Sequence, residues 1–202
     1  MKVQLIDVAK RFNKEWIFRG VHLSLSADKI YGLTGANGSG KTTLLSIISH
    51  FVAPTEGELK YEGFAESNLR KAISIASPAL SLMEEMTVIE AIEFHAHYKP
   101  FRNGLQPKDI IKLLAFEKQQ QKLIRELSTG MKQRVKLVLA ILSQSELLLL
   151  DEPGANLDAA GFAFWKQLLL ENAAGRIVVI ASNDAQDLEI CQQIIAMHHF
   201  KN

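Results

Sequence analysis

The sequence predicts an α/β fold with a mostly parallel sheet, an antiparallel β subdomain near the N-terminus and a helical insert. Three observations carry that expectation. Two continuous apolar runs, Leu147–Leu150 and Ile177–Ile180, lie between helical segments, as strands buried on both faces of a parallel sheet do. Near the start, Val21, Leu23 and Leu25 alternate with His22, Ser24 and Ser26, the period of a half-buried strand. From about Leu80 to Ser143 the apolar residues fall instead at helical spacing.

The elements follow in order. A short β run, Lys29 to Leu33, follows a turn at Asp28 and leads through a glycine-rich loop into an apolar helix from Lys41 to His50. Pro54, Gly57 and Gly63 bracket another short strand around Leu59. Val88, Ile89, Ile92 and Ala96 mark one helix, and Ile110, Ile111, Leu113 and Leu114 a second. Val135, Leu137, Val138, Leu139, Ile141 and Leu142 mark a strongly buried third, and Pro100, Gly104 and Pro107 punctuate the region. The expectation is a single domain over residues 1–202, its α/β core in 1–78 and 144–202 and its helical subdomain at about 79–143.

Composition removes several classes of function. With 23 basic and 22 acidic residues the net charge is +1, and no basic block suggests a nucleic-acid footprint. No signal-peptide core follows Met1, where Asp7 interrupts early, and no stretch reaches the ~18 apolar residues of a membrane span. A soluble chain is expected, so that a membrane process would need a second protein. The single cysteine, Cys191, sits in an apolar run and reads as inert core.

Chemistry enters at Gly35-Ala36-Asn37-Gly38-Ser39-Gly40-Lys41-Thr42, which matches the phosphate-loop pattern G-x-x-x-x-G-K-[ST] between a strand and a helix. The glycines let backbone N–H groups turn inward around a polyphosphate, and the helix start adds the positive end of its dipole. Gly35, Asn37, Gly38, Ser39, Gly40, Lys41, Thr42 and Thr43 form the candidate binding set. Lys41 is placed to reach the β- and γ-phosphates, and the Thr42 hydroxyl to ligate Mg²⁺. The core is then of the P-loop NTPase type. A second site feature, Asp151-Glu152-Pro153, ends the run of four leucines. Ligands of open parallel sheets bind at the carboxyl ends of the strands. There Asp151 can hold the metal, and Glu152 can take a proton from an attacking water.

Leu127-Ser128-Thr129-Gly130-Met131 opens the long buried helix ahead of that acidic strand end. Here the chain resembles the ABC ATPases, whose signature is Leu-Ser-Gly-Gly-Gln. Leu127, Ser128 and Gly130 match, while Thr129 and Met131 depart. Ser128 can cap the helix, and Gly130 lets a phosphate approach the backbone. The resemblance runs from about Val3 to Met197. It implies two ATP and two Mg²⁺ sites, each completed when Ser128 and Gly130 of one chain reach the γ-phosphate held by another, head to tail. It also implies a homodimer or heterodimer, a separate transmembrane permease, and a cytoplasmic place on the inner face of the membrane. Phe12, 29 residues before Lys41, falls where the family stacks an aromatic on adenine, with Trp16 a nearby competitor. Ala155-Asn156-Leu157-Asp158 resembles the family's loop that signals across the dimer, and Met83 to Met86 the surface that meets the permease.

The pattern breaks at two places. The family's glutamine after strand Ile73–Ala76 is replaced by Ser77 or Pro78, and Ser77 is shorter. The family's γ-phosphate histidine is replaced by Asn183, which can donate a hydrogen bond but carries no proton or charge. Glu152 and Asn183 are the catalytic candidates, with slow turnover expected. Alternatives are an ATP-gated dimer clamp with slow or degenerate hydrolysis, and a non-transport ABC ATPase acting on DNA or ribosomes. One cassette and no heptads count against the last. The compact chain resembles the subunits of simple exporters, including the haem-export type, while cargo and direction stay open. His95 and His97 read as structural, because residues two apart do not share a helix face. Lys132, Arg134 and Lys136 read as a solvated helix face.

Overall fold

The computed structural model describes residues 1–63 and 69–200. Two sheets form. Strands β1 (Lys2–Phe12), β2 (Glu15–Ser26) and β4 (Glu56–Glu62) make an antiparallel sheet in the order β2-β1-β4. Strands β3 (Lys29–Thr34), β5 (Ile73–Ala76), β6 (Leu147–Asp151), β7 (Ile177–Ser182) and β8 (Gln193–Ala196) make a parallel sheet in the order β5-β6-β7-β3-β8. The antiparallel strands are thus a sheet of their own, the antiparallel subdomain that the sequence predicts.

The alternation along the central strands divides the core. Leu148, Leu150, Val178 and Ile180 face one cluster, and Leu147, Leu149, Ile177 and Val179 the other. All eight are fully buried, which is why these strands read as unbroken apolar runs. The second cluster joins helix α1 (Lys41–Ile48) and the antiparallel sheet through Val3, Leu5, Val21, Leu44 and Ile48. The first joins helices α3 (Val88–Tyr98), α4 (Pro107–Leu114), α5 (Thr129–Leu142) and α6 (Ala159–Asn172).

Local chemistry sets the helix starts. Thr87 caps α3 in a reciprocal pair with Glu90: Glu90 N–H donates to the Thr87 hydroxyl at 3.3 Å, and Thr87 N–H to the Glu90 carboxylate at 2.8 Å. Pro107 opens α4, where a missing N–H costs nothing. Ser128 caps α5 by accepting from Met131 N–H at 3.2 Å, and Asp158 caps α6 by accepting from Gly161 N–H at 2.8 Å. Two four-residue helices, α2 (Leu69–Ala72) and α7 (Ala185–Leu188), abut strands β5 and β7. No helix among the described residues is long and apolar enough to cross a membrane.

Three readings of the sequence change in detail. Arg134 is half-buried: its guanidinium lies over Phe116 and Phe164 at 5.5 and 5.3 Å and donates to the Leu114 carbonyl at 3.1 Å. Lys132 forms an ion pair with Glu84 at 2.9 Å. These cations pin α5 to its neighbours with their aliphatic stems partly covered, which a count of charges does not reveal. Helix α1 ends at Ile48, two residues short of His50, which takes a left-handed backbone with φ 63°.

Candidate functional site

The phosphate loop leaves β3, an interior strand of the parallel sheet, at its carboxyl end and runs into α1. Gly40 precedes the helix with φ 96°, and a Cβ there would meet Ile17 at 2.7 Å and Phe18 at 2.9 Å. Only glycine fits this turn. No side chain caps α1, so its first N–H groups are left for an anion. Asn37, Gly38, Ser39, Gly40, Lys41, Thr42 and Thr43 line a cavity of ≈ 490 Å³, and Ile17, Ser77, Pro78, Ala79, Asp151 and Glu152 complete it.

The acidic side comes from β6 and the residue that follows it. Asp151 is buried at 3 % exposure. Its Oδ2 accepts from the Thr42 hydroxyl at 2.9 Å and from the Ser77 hydroxyl at 3.0 Å. Its Oδ1 is buried without a hydrogen-bond partner. Burial pushes this carboxyl above the usual carboxylate range, and the charge of Glu152 adds to that; the Thr42 and Ser77 hydroxyls and the Lys41 charge work against it. Three oxygens converging beside an unsatisfied carboxylate oxygen suit a hard divalent cation such as Mg²⁺. Ser77 therefore reaches the same carboxylate as Thr42, a role its position in the sequence did not reveal.

Lys41 is buried and its Nζ bridges the two halves of the site. It donates to the Gly35 carbonyl at 2.7 Å and stands 3.6 Å from Glu152 Oε1. Glu152 has a left-handed backbone, φ 47°, unusual for a glutamate. Four bonds hold it and its neighbour Pro153 there: Glu152 N–H donates to the Ala181 carbonyl at 2.7 Å, its carbonyl accepts from Ala155 N–H at 3.1 Å, and Gln133 Nε2 donates to the Glu152 and Pro153 carbonyls at 3.4 and 3.1 Å. Gln133 thereby ties α5 to the acidic strand end. Asn183, just past β7, donates through Nδ2 to Asn37 Oδ1 at 3.2 Å and so closes the loop from the opposite bank.

Not every candidate meets in this cavity. Ser128 is exposed at the start of α5, and neither it nor Gly130 lines the space around Lys41. A Cβ at Gly130 would sit 2.7 Å from the Asn156 carbonyl, so glycine lets the helix start lie against the 155–158 loop. Phe12 ends β1, is 49 % exposed with its ring beneath Lys10 Nζ, 4.9 Å away, and is not among the cavity residues; Ile17 is. Trp16 lies against the guanidinium groups of Arg11 and Arg19, at 5.1 and 4.4 Å. His95 bonds Ser143 at 2.7 Å and stacks on Phe101, and no metal-binding cluster of His, Cys, Asp or Glu occurs among the described residues.

The family model for ABC transporters matches residues 18–155. The chain belongs to the ABC transporter family. It is an ATP-binding cassette of that family. It is 27% identical over 202 residues to YybJ, an uncharacterised ABC transporter ATP-binding protein of Bacillus subtilis strain 168, covering 98% of this chain and 93% of YybJ. It is 33% identical over 175 residues to the cytochrome c biogenesis ATP-binding export protein CcmA of Cupriavidus necator, covering 83% of this chain and 76% of CcmA. Among solved structures, an ABC transporter ATP-binding protein of Pyrococcus furiosus shares the fold with a TM-score of 0.84 at 23% identity, with both chains covered in full. The cassette MJ0796, solved as a dimer bound to ADP and Pi, gives a TM-score of 0.80 at 23% identity over 96% of this chain and 93% of its own.

Proposed function

We propose that this cassette binds ATP with Mg²⁺ and hydrolyses it in a head-to-tail dimer that powers transport through a separate membrane permease. One observation carries the reading: Thr42 and Ser77 converge on a single buried oxygen of Asp151, beside Lys41, Glu152 and an uncapped helix start. The loop amides and Lys41 hold the phosphates. Thr42, Asp151 and Ser77 hold the Mg²⁺, which when bound neutralises the charge of the transferring phosphoryl group. Glu152 accepts the proton as a water attacks the γ-phosphorus, and ADP leaves. Asn183 donates to a γ-phosphate oxygen; lacking the charge of a histidinium, it favours slow turnover. Phe12 supplies the surface for adenine.

Dimerisation is supported by what the single chain leaves undone. Ser128 and Gly130 stand outside the cavity of their own chain, as groups that serve a second copy would. That the cassette MJ0796, which shares this fold, was solved as a dimer bound to ADP and Pi also supports a dimer. The permease is supported by membership of the transporter family and by similarity to relatives such as CcmA, an export protein. The protein then sits on the cytoplasmic face of the membrane, held there by its permease.

The test is steady-state ATPase activity of wild type beside Glu152→Gln, with assembly followed by light scattering. Loss of the base lowers turnover by about 10²–10⁴-fold, while ATP-dependent dimerisation persists. If wild type binds ATP and dimerises without turning over, the cassette is a clamp and not an engine.

A further inference from the structure

Behind Glu152 lies a second carboxyl group that the hydrolytic reading does not use. Asp187, on α7, is 2 % exposed, and its Oδ2 stands 2.6 Å from Ser182 Oγ. The same hydroxyl stands 2.9 Å from Glu152 Oε2 and accepts the Asp184 N–H at 3.0 Å. A hydroxyl has one hydrogen and two lone pairs. With one lone pair taken by Asp184, its hydrogen serves one carboxylate, and the other would face a bare lone pair at hydrogen-bonding distance. A proton on either carboxyl group removes the conflict.

Surroundings decide which group carries it. Glu152 has Lys41 Nζ at 3.6 Å and a side chain 27% exposed. Asp187 has no ion pair among the described residues. Facing it are Glu152 beyond β6, Asp184 at the cap of its own helix, the Cys191 thiol and the N–H of Gly154. The cation that α6 sends to α7, Lys166, is taken by Glu189 at 2.7 Å and by the Gln186 carbonyl at 3.3 Å. Burial pushes the Asp187 carboxyl up, and Asp184 and Glu152 push it further; Ser182 and Gly154 oppose the shift.

We propose that Asp187 is a positioning residue for Glu152: held as a neutral acid, it donates to Ser182 Oγ, and Ser182 donates its hydrogen to the Glu152 carboxylate. The chain of bonds fixes Glu152 where its strained backbone alone would let the side chain rotate. It also links the base to α7 and to Asn183, the residue next to Ser182, so the γ-phosphate donor and the base share one support. This inference rests on the reading of Glu152 as the base.

Infrared difference spectra of the full chain, wild type minus Asp187→Asn at pH 7, test the protonation directly. A neutral-acid carbonyl band in wild type that the variant loses is expected, and its absence overturns the proposal. Kinetics test the positioning. Asp187→Leu lowers kcat about 10-fold with KM for ATP within about twofold, the size of a lost hydrogen bond to a charged group. Asp187→Asn, whose amide donates from the same place, restores kcat to within about threefold. In a Ser182→Ala background Asp187→Leu has no further effect. An Asn variant as slow as Leu, or an undiminished Leu effect without Ser182, overturns it; where Leu does not fold, Asn and the infrared band decide. A wild type without ATPase activity would instead sink the reading of Glu152 as base, and the band would still settle the state of Asp187.

Discussion

The two ends of the parallel sheet bury charge in opposite ways. At the carboxyl ends of β3 and β6, buried polar atoms are left without partners: Asp151 Oδ1 and Ser39 Oγ have none. At the amino ends, one buried and one half-buried cation are spent on the protein itself. Arg176, 1 % exposed just before β7, donates to the Ile141 carbonyl at 2.6 Å and to the Ser145 hydroxyl, with only its Nε unpartnered. Lys99 donates to the Ile73 and Arg70 carbonyls and to Ser74 Oγ, and burial pushes it down to about 8. His95 closes on Ser143. The difference teaches what a ligand site looks like before its ligand is considered. Polar groups that staple elements together spend most of their hydrogen bonds within the protein, whereas the carboxylate and hydroxyl facing the cavity keep an oxygen unpartnered.

Mutations should separate the two ends. Arg176→Ala breaks the staple between β7 and the end of α5 and should cost about 3 kcal/mol, lowering the thermal midpoint by about 6–12 °C. ATP affinity of the remaining folded protein should not move; a matching loss of affinity would mean the ends are not independent.

His95 gives a smaller, pH-dependent effect at the same end. Burial, with the Lys99 charge, pushes its ring down to about 4 from 6.5. Between those values the unfolded chain binds the extra proton and the folded chain does not. The stability is therefore present above pH 6.5 and lost as pH falls toward 4. Denaturant unfolding at pH 7 and pH 5 should differ by about 2 kcal/mol from this group, and His95→Gln should remove that part. An unchanged difference in the variant would place the titration elsewhere.

At the carboxyl end the smallest effect is expected from Ser77→Ala. Removing one hydroxyl from Asp151 should raise the Mg²⁺ needed for half-maximal ATPase about fivefold, near 1 kcal/mol. The thermal midpoint should stay within about 2 °C. A large loss of stability would make Ser77 a staple like Arg176.

How much of this was legible follows from the reach of each signal. The phosphate loop and the Asp151-Glu152 pair stand in contiguous segments, so their residue types and order announce them. The replacement of the family's glutamine by Ser77 was visible, but its bond to a carboxylate 74 residues further along was not. Asp187 carries no signal that separates it from Asp184 or Glu189 nearby, yet it is buried while they are exposed. Gln133 reads as one polar residue of a helix, and only its place against the Glu152 and Pro153 carbonyls gives it a role.

The sequence by itself determined the α/β class, the parallel strands, the phosphate loop and the acidic strand end. Period, apolar runs and contiguous motifs are written along the chain and depend on neighbours a few residues away. Tertiary structure alone decided the strand order β5-β6-β7-β3-β8 of the parallel sheet, and that Thr42 and Ser77 share one oxygen of Asp151. It alone decided that one serine hydroxyl lies between Glu152 and Asp187. Each of those facts joins residues from separate elements, and whether a carboxyl is paired, metal-binding or neutral depends on burial and on what faces it across that gap.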